Sequence, residues 1–202
     1  MIGMATKAQD TRQRVLDVAA RRFREHGYAG VSLRDIADEA GMKAGSLYYH
    51  FRSKDEIVAT VLDIGIELVQ DAVERAVAGL PAEAPARAVI AAAVRSHLQT
   101  FLAYSDYTSA NVRIFGQLPP EVRRANLTAR RRYEALWDSV VERCRARGGV
   151  RPAVDTATFR LFLLGAMNAT LEWFDPAKGD IDRLADRYAD LALDGLLERP
   201  ES

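Results

Sequence analysis

"VSLRDIADEAGMKAGSLYYHFRSKDEI" (residues 31–57) decides how this chain folds. Ser32 and Asp35 stand at capping-box spacing, which predicts a helix starting at Leu33. Gly41 ends it after two turns, where the chain needs a positive φ. A second short helix is predicted from about Ala44 to Phe51, and Ser53 is the N-cap of the next one. Ile36, Ala40 and Leu47 give the two short helices apolar contacts, and Ala37 is small where they must cross. The second helix has almost no other aliphatic residue. It carries two adjacent tyrosines and a histidine instead, which is not how a core helix is composed.

The pattern is a helix-turn-helix, whose second helix lies in the DNA major groove with its first residues at base edges. Gly45, without a Cβ, permits close approach to the DNA. Ser46 donates or accepts at a base edge or a phosphate. Tyr48 and Tyr49 offer hydroxyls at phosphate reach and rings for sugar or thymine-methyl contact. His50 can donate to a phosphate, and Lys54 stands where a phosphate clamp would. The free N–H groups after Ser32 suit the same anion. The competing reading packs Tyr48 inside and leaves the others solvated. It is the weaker one, because turn, cap and donors agree with each other.

Outward from this motif the periodicity stays helical. "RQRVLDVAARRFREHGY" (residues 12–28) puts Val15, Leu16, Ala19 and Phe23 on one face, with Gly27 as a stop. An amphipathic segment runs from Lys54 to about Gly79 and is broken by "LPAEAP". Helices are then expected over about 84–104, over a short stretch around 109–115, and from Pro119 or Pro120 to about 147. The last two span about 155–174 and 181–198. No segment shows two-residue alternation. The expected fold is all-α with nine helices: a DNA-binding domain over residues 1–55 and a ligand-binding and dimerisation domain over residues 56–202.

The totals agree with a soluble globular chain: 49% of the 202 residues are hydrophobic and 28% charged. No apolar run is long enough for a membrane span, and "MIGMATKAQDTRQR" has no signal-peptide core, so no membrane partner and a cytoplasmic location are expected. Cys144 is the single cysteine and the three histidines are scattered, which leaves no metal-ligand spacing and no expected metal or cofactor. Net charge is zero, yet residues 1–55 hold 10 Lys or Arg against 7 Asp or Glu, and the remainder 18 against 21. A basic head on an acidic body suits a polyanionic partner.

Residues from about 10 to 57, above all "GYAGVSLRDIADEAGMKAGSLYYHFRSKDEI", resemble the DNA-binding domain of the TetR/AcrR family of bacterial transcriptional regulators. The string G-[ST]-LYYHF-x-[ST]-K-[DE] is highly specific for that family. The resemblance implies an all-helical homodimer, usually a repressor, on a double-stranded DNA operator, with a small-molecule effector. By position it puts DNA contacts on Ser32, Lys43, Ala44, Gly45, Ser46, Tyr48, Tyr49, His50 and Lys54. Ala44 and Gly45 have no hydrogen-bonding side chains, so base reading leans on Lys43, Ser46 and Tyr48, with a thymine-methyl contact open to Ala44.

The body needs its own argument. "TFRLFLLGAMNATLEWF" (residues 158–174) is apolar on most sides and so requires burial on more than one side. The helix over 181–198 carries one continuous apolar stripe. A two-fold homodimer through these two helices is expected, with reading helices roughly 34–36 Å apart. Effector candidates are the aromatic and polar residues stranded in apolar helices: Phe101, Tyr104, Tyr107, Arg113, Phe115, Trp137 and Asn168. At each of them ordinary core packing is the competing reading. "NATLEW" (residues 168–173) resembles the penultimate helix of a TetR subgroup tied to fatty-acid, acyl-CoA and sterol breakdown, which implies a bulky hydrophobic or acyl-CoA effector. Two other functions compete. An architectural DNA-binding protein would leave the large apolar body unexplained, and an enzyme finds no nucleophile with a placed base and no phosphate loop.

Overall fold

The helical periodicity is realised throughout the computed structural model, which describes residues 2–103, 105–148, 150–175 and 177–196, with side chains for all of these except 2–6, 105 and 194–196. Tyr104 lies outside the described residues. The helices are α1 (Ile2–His26), α2 (Leu33–Glu39), α3 (Ala44–Leu47), α4 (Lys54–Ala78), α5 (Ala86–Ala103), α6 (Ser105–Arg113), α7 (Pro120–Arg145), α8 (Thr156–Asn168), α9 (Thr170–Trp173) and α10 (Ile181–Leu196), with a 3-10 turn at Phe115–Gln117. Only Ala169 separates α8 from α9, so together they occupy the segment expected as one helix over 155–174.

Two compact units share the chain. The first comprises Met1–Ile66 with Tyr104–Ala129, the second Glu67–Ala103 with Arg130–Ser202. The first therefore extends past the sequence boundary at residue 55 and takes in α6 and the start of α7.

In the first unit, the buried face of α1 (Val15, Leu16, Ala19, Ala20, Phe23) meets Ile36 and Ala37 of α2, Leu47 of α3, and Ile57, Val58, Val61 and Leu62 of α4. Ala110 and Ile114 of α6 close the same core. Polar pins fix α6 on α1. The Tyr107 hydroxyl donates to Asp17 Oδ1 at 2.6 Å and accepts from Gln13 Nε2 at 3.0 Å. Arg24 pairs with Asp106 at 2.6 Å. On the α4 side, Asn111 Nδ2 donates to the Leu62 carbonyl at 2.6 Å. Gly65 makes that approach geometrically possible: a Cβ there would meet the Tyr107 carbonyl oxygen at 2.5 Å and Asn111 Nδ2 at 2.7 Å.

The second unit buries Val73 and Val77 of α4, Val89, Ile90, Val94, Leu98 and Phe101 of α5, and Trp137, Val140, Val141 and Cys144 of α7. Leu163 and Met167 of α8 and Leu184, Ala185, Ala189, Ala192 and Leu193 of α10 complete it. A polar ladder joins α5 to α10 at the surface: Arg87 to Asp190, Arg95 to Asp186, and Gln99 to Asp182. The Asp155 side chain accepts from the Thr158 N–H and caps α8, and the Tyr188 hydroxyl donates to the Ala166 carbonyl, tying α10 to α8.

Gly65→Ala should destabilise the chain by about 1–3 kcal/mol, since backbone rather than a flexible side chain blocks the added methyl. Urea denaturation measures this, and an unchanged midpoint would mean that α6 moves aside freely.

Candidate functional site

The capping box at the start of α2 forms as its spacing predicts: Ser32 Oγ accepts from the Asp35 N–H, and Asp35 Oδ2 accepts from the Ser32 N–H at 2.9 Å. The Ser32 hydroxyl also donates to Asp35 at 2.6 Å. These bonds hold the Asp35 carboxyl below its ordinary range, the Ser32 hydroxyl contributing most. Gly41 then reverses the chain at φ +68, with the Met42 N–H returning to the Ala37 carbonyl.

α3 is shorter than its predicted span of 44–51. After Leu47 it tightens into turns, the His50 N–H donating to the Leu47 carbonyl at 2.9 Å and the Phe51 N–H to the same oxygen at 3.0 Å. Leu47 and Phe51 are both buried, and the Arg12 guanidinium lies 4.7 Å from the Phe51 ring centre. With those two residues inside, their neighbours face outward. Tyr49 is 90% exposed and Tyr48 58%. Lys43, Ala44 and Gly45 are exposed, and Ser46 and His50 half-buried. Among the described residues, nothing lies within 4 Å of where a Cβ on Gly45 would be. Tyr48 is thus no core residue.

Lys54 is placed differently from a simple clamp. Its ammonium donates to the carbonyls of Tyr28 at 2.9 Å and Val31 at 3.0 Å and sits 3.9 Å from the Tyr28 ring centre. Two of its three N–H bonds thus hold the loop between α1 and α2. The Tyr28 hydroxyl donates to Asp55, and its pKa is pushed up to about 12, by burial first and then by that bond.

The effector candidates divide. Tyr107, Arg113 and Phe115 belong to the first unit. There the Tyr107 hydroxyl is committed to α1, Phe115 packs on the core, and Arg113 is exposed at the end of α6. Phe101 and Trp137 are buried in the second unit, brought together by a residue that the sequence reading passed over. His97 stacks on Phe101 at 5.2 Å and meets Trp137 edge-on at 6.2 Å, while its Nδ1 lies 2.5 Å from the Tyr133 hydroxyl. The available signal was the spacing of His97 and Phe101, one helical turn apart on an apolar face. Asn168 is half-buried at the end of α8.

Two family domains match this arrangement. The one described as bacterial regulatory proteins, tetR family, covers residues 15–61. The one described as tetracyclin repressor-like, C-terminal domain, covers residues 83–196, more than half of the chain. The chain belongs to the TetR family. The HTH-type transcriptional repressor KstR2 of Rhodococcus jostii (strain RHA1) is 31% identical over 198 residues, spanning 92% of this chain and 90% of that one. The HTH-type transcriptional regulator AcrR of Shigella flexneri is 40% identical over 58 residues, 29% of this chain and 27% of that one. Among solved structures, the TetR-family regulator PfmR from Thermus thermophilus superposes with a TM-score of 0.78 at 28% identity, over 92% of this chain and all of that one. This TetR-family protein is a DNA-binding transcriptional regulator with an all-helical fold. Its family is not an enzyme family. Among the described residues no helix is long and apolar enough to cross a membrane.

Two outcomes are expected. Tyr49→Ala should weaken operator binding roughly tenfold, about 1.4 kcal/mol, without moving the unfolding midpoint, because the side chain touches little of its own protein. Fluorescence anisotropy and denaturation together measure this. The second concerns pH. Burial pushes the His97 pKa from 6.5 down to about 3. Between those values the unfolded chain holds the extra proton, so this contribution is full above pH 6.5 and is lost as pH falls toward 3. The slope reaches about 1.4 kcal/mol per pH unit. Stability should drop less from pH 7 to 5 in His97→Phe than in the unaltered protein. Equal drops would mean that the imidazole titrates freely.

Proposed function

We propose that this chain is a homodimeric repressor that holds its operator through the α2–α3 motif and lets go when a bulky apolar effector, of acyl-CoA type, enters the second unit. The observation that carries the reading is the exposed pair Tyr48 and Tyr49, projected by the buried anchors Leu47 and Phe51. Lys43 and Ser46, just before the pair, read base edges with Tyr48, while Ala44 offers a methyl to thymine and Gly45 lets the backbone come close. Tyr49, His50 and the remaining N–H of Lys54 meet phosphates, joined by the backbone N–H groups that follow Ser32, whose own N–H and O–H both go to Asp35. The repressor sense is supported by the Rhodococcus jostii relative, which is described as one.

Dimerisation runs through α8 and α10. Leu161 and Phe162 on α8 are 65% and 64% exposed and Leu191 on α10 is 72% exposed, with Trp173 of α9 at 59%. Gly165 and Ala169 continue the α8 face with small side chains. Large aliphatic and aromatic groups left exposed on one pair of helices suit an association site, and a second copy of the chain is the occupant that gives two reading heads for a two-fold operator. The acyl-CoA direction rests on the "NATLEW" resemblance and on the apolar interior of the second unit. The α6 pins at Asp106 and Tyr107 are suited to passing a shift of α6 on to α1.

Anisotropy with DNA from the protein's own upstream region, beside a scrambled duplex and with and without a long-chain acyl-CoA, tests this. Tight binding to the upstream DNA alone, relieved by the acyl-CoA, is expected. Equal binding to both duplexes would remove the operator-specific reading. Phe162→Glu should yield a monomer by light scattering and weaken operator binding roughly 10²-fold through loss of bivalency. A dimer that persists in Phe162→Glu and Leu161→Glu alike would move the interface elsewhere.

A further inference from the structure

The second unit contains a buried polar group that its own packing leaves unused. His97 on α5 is fully enclosed by Phe101 on its own helix and by Tyr133 and Trp137 on α7. One ring nitrogen, Nδ1, meets the Tyr133 hydroxyl at 2.5 Å. The other, Nε2, is buried with no hydrogen-bond partner among the described residues, and so is the indole nitrogen of Trp137. A buried polar group left unpaired costs about 1–3 kcal/mol, and such a group in a native fold calls for an explanation.

Hydrogen-bond satisfaction decides the direction of the proton. Tyr133 is buried, and the partner of its hydroxyl among the described residues is Nδ1. A phenol that only accepted from the ring would leave its own O–H buried without an acceptor, so Tyr133 gives its proton to Nδ1. Burial keeps the imidazole neutral, so a ring that accepts at Nδ1 carries its single hydrogen on Nε2. The unused group is therefore an N–H donor on a neutral ring, set among aromatic walls.

We propose that the His97 Nε2–H is the polar anchor of the effector site and takes the neutral carbonyl oxygen of an otherwise apolar ligand: a ketone, an ester or a thioester. Tyr133 is the positioning residue that holds the tautomer. The inference rests on the reading above that an apolar effector enters the second unit. A carboxylate is disfavoured because it would lose its hydration beside a neutral ring. A hydrocarbon leaves the donor unpaired. A carbonyl oxygen satisfies it at no charge cost, and discrimination built on a buried donor is strong.

The test uses the full-length protein and a matched set of one chain length: a methyl ketone, the methyl ester, the carboxylate and the alkane. Calorimetry gives each affinity, operator anisotropy gives release, and nitrogen-detected imidazole spectra give the His97 tautomer, assigned by comparison with His97→Phe. The ketone and ester should bind about tenfold or more tighter than the alkane, with a shift at Nε2 and none of comparable size at Nδ1. His97→Phe should bring the ketone to the affinity of the alkane and leave the alkane unchanged. Tyr133→Phe should mix the tautomers and erode the ketone preference. If ketone and alkane bind equally, or the carboxylate binds tightest, the anchor is wrong while an apolar effector site survives; equal binding is also what an internal water on Nε2 would give. If His97→Phe weakens ketone and alkane alike, His97 is packing only. If none of the set binds although operator binding persists, the anchor and the apolar-effector reading fall together.

Discussion

The burial of Leu47 and Phe51, four residues apart, governs the first unit. Both are drawn into the core built by α1, α2 and the start of α4. Once they are inside, the residues between them have no choice of direction, and Tyr48 and Tyr49 face outward. The positive φ of Gly41 lets the chain arrive at Leu47 from the right side. The Ser32 and Asp35 cap fixes where α2 begins, so the turn cannot slide. A surface rich in aromatic hydroxyls thus follows from apolar packing beneath it. Function is displayed by residues that do not take part in it.

How much of this could be read from the chain depends on the distance over which each feature is decided. The Ser32 cap, the Gly27 and Gly41 reversals and the Ser53 cap, whose Oγ accepts from the Glu56 N–H at 3.1 Å, were all legible. Each is settled within about four residues of sequence. The helix periods were legible for the same reason. The early end of α3 was not, because Phe51 is pulled inward by contacts with segments far away in sequence. The role of Lys54 was hidden too. Its spacing suits a phosphate, but the carbonyls it serves belong to a loop more than twenty residues upstream.

The same limit applies to the candidate site. Tyr107 reads as a stranded aromatic, yet its hydroxyl serves Asp17, ninety positions earlier. Periodicity cannot announce such a pairing. His97 reads as one of three scattered histidines, and its meaning comes only from Tyr133 and Trp137 on another helix. Residues 104–120 read as the least regular stretch of the sequence, yet Ala110, Ile114 and Leu118, with Val122 after them, complete the core around α1.

The ladder between α5 and α10 has a consequence for how the second unit finds its alignment. Asp182, Asp186 and Asp190 recur at every fourth position, and Arg87, Arg95 and Gln99 answer them from α5. A repeat with that period is nearly degenerate: sliding α10 by one turn would bring Asp182 or Asp190 to Arg95 in place of Asp186. Charge therefore draws the two helices together without saying where they stop. The buried stripe of α10 supplies that information, since Ala185, Ala189 and Leu193 share the ladder's four-residue spacing but not one size. A one-turn slip would drive leucine into space shaped for alanine. The register is set by volume, and the salt-sensitive ladder serves as the guide rail along which it is found.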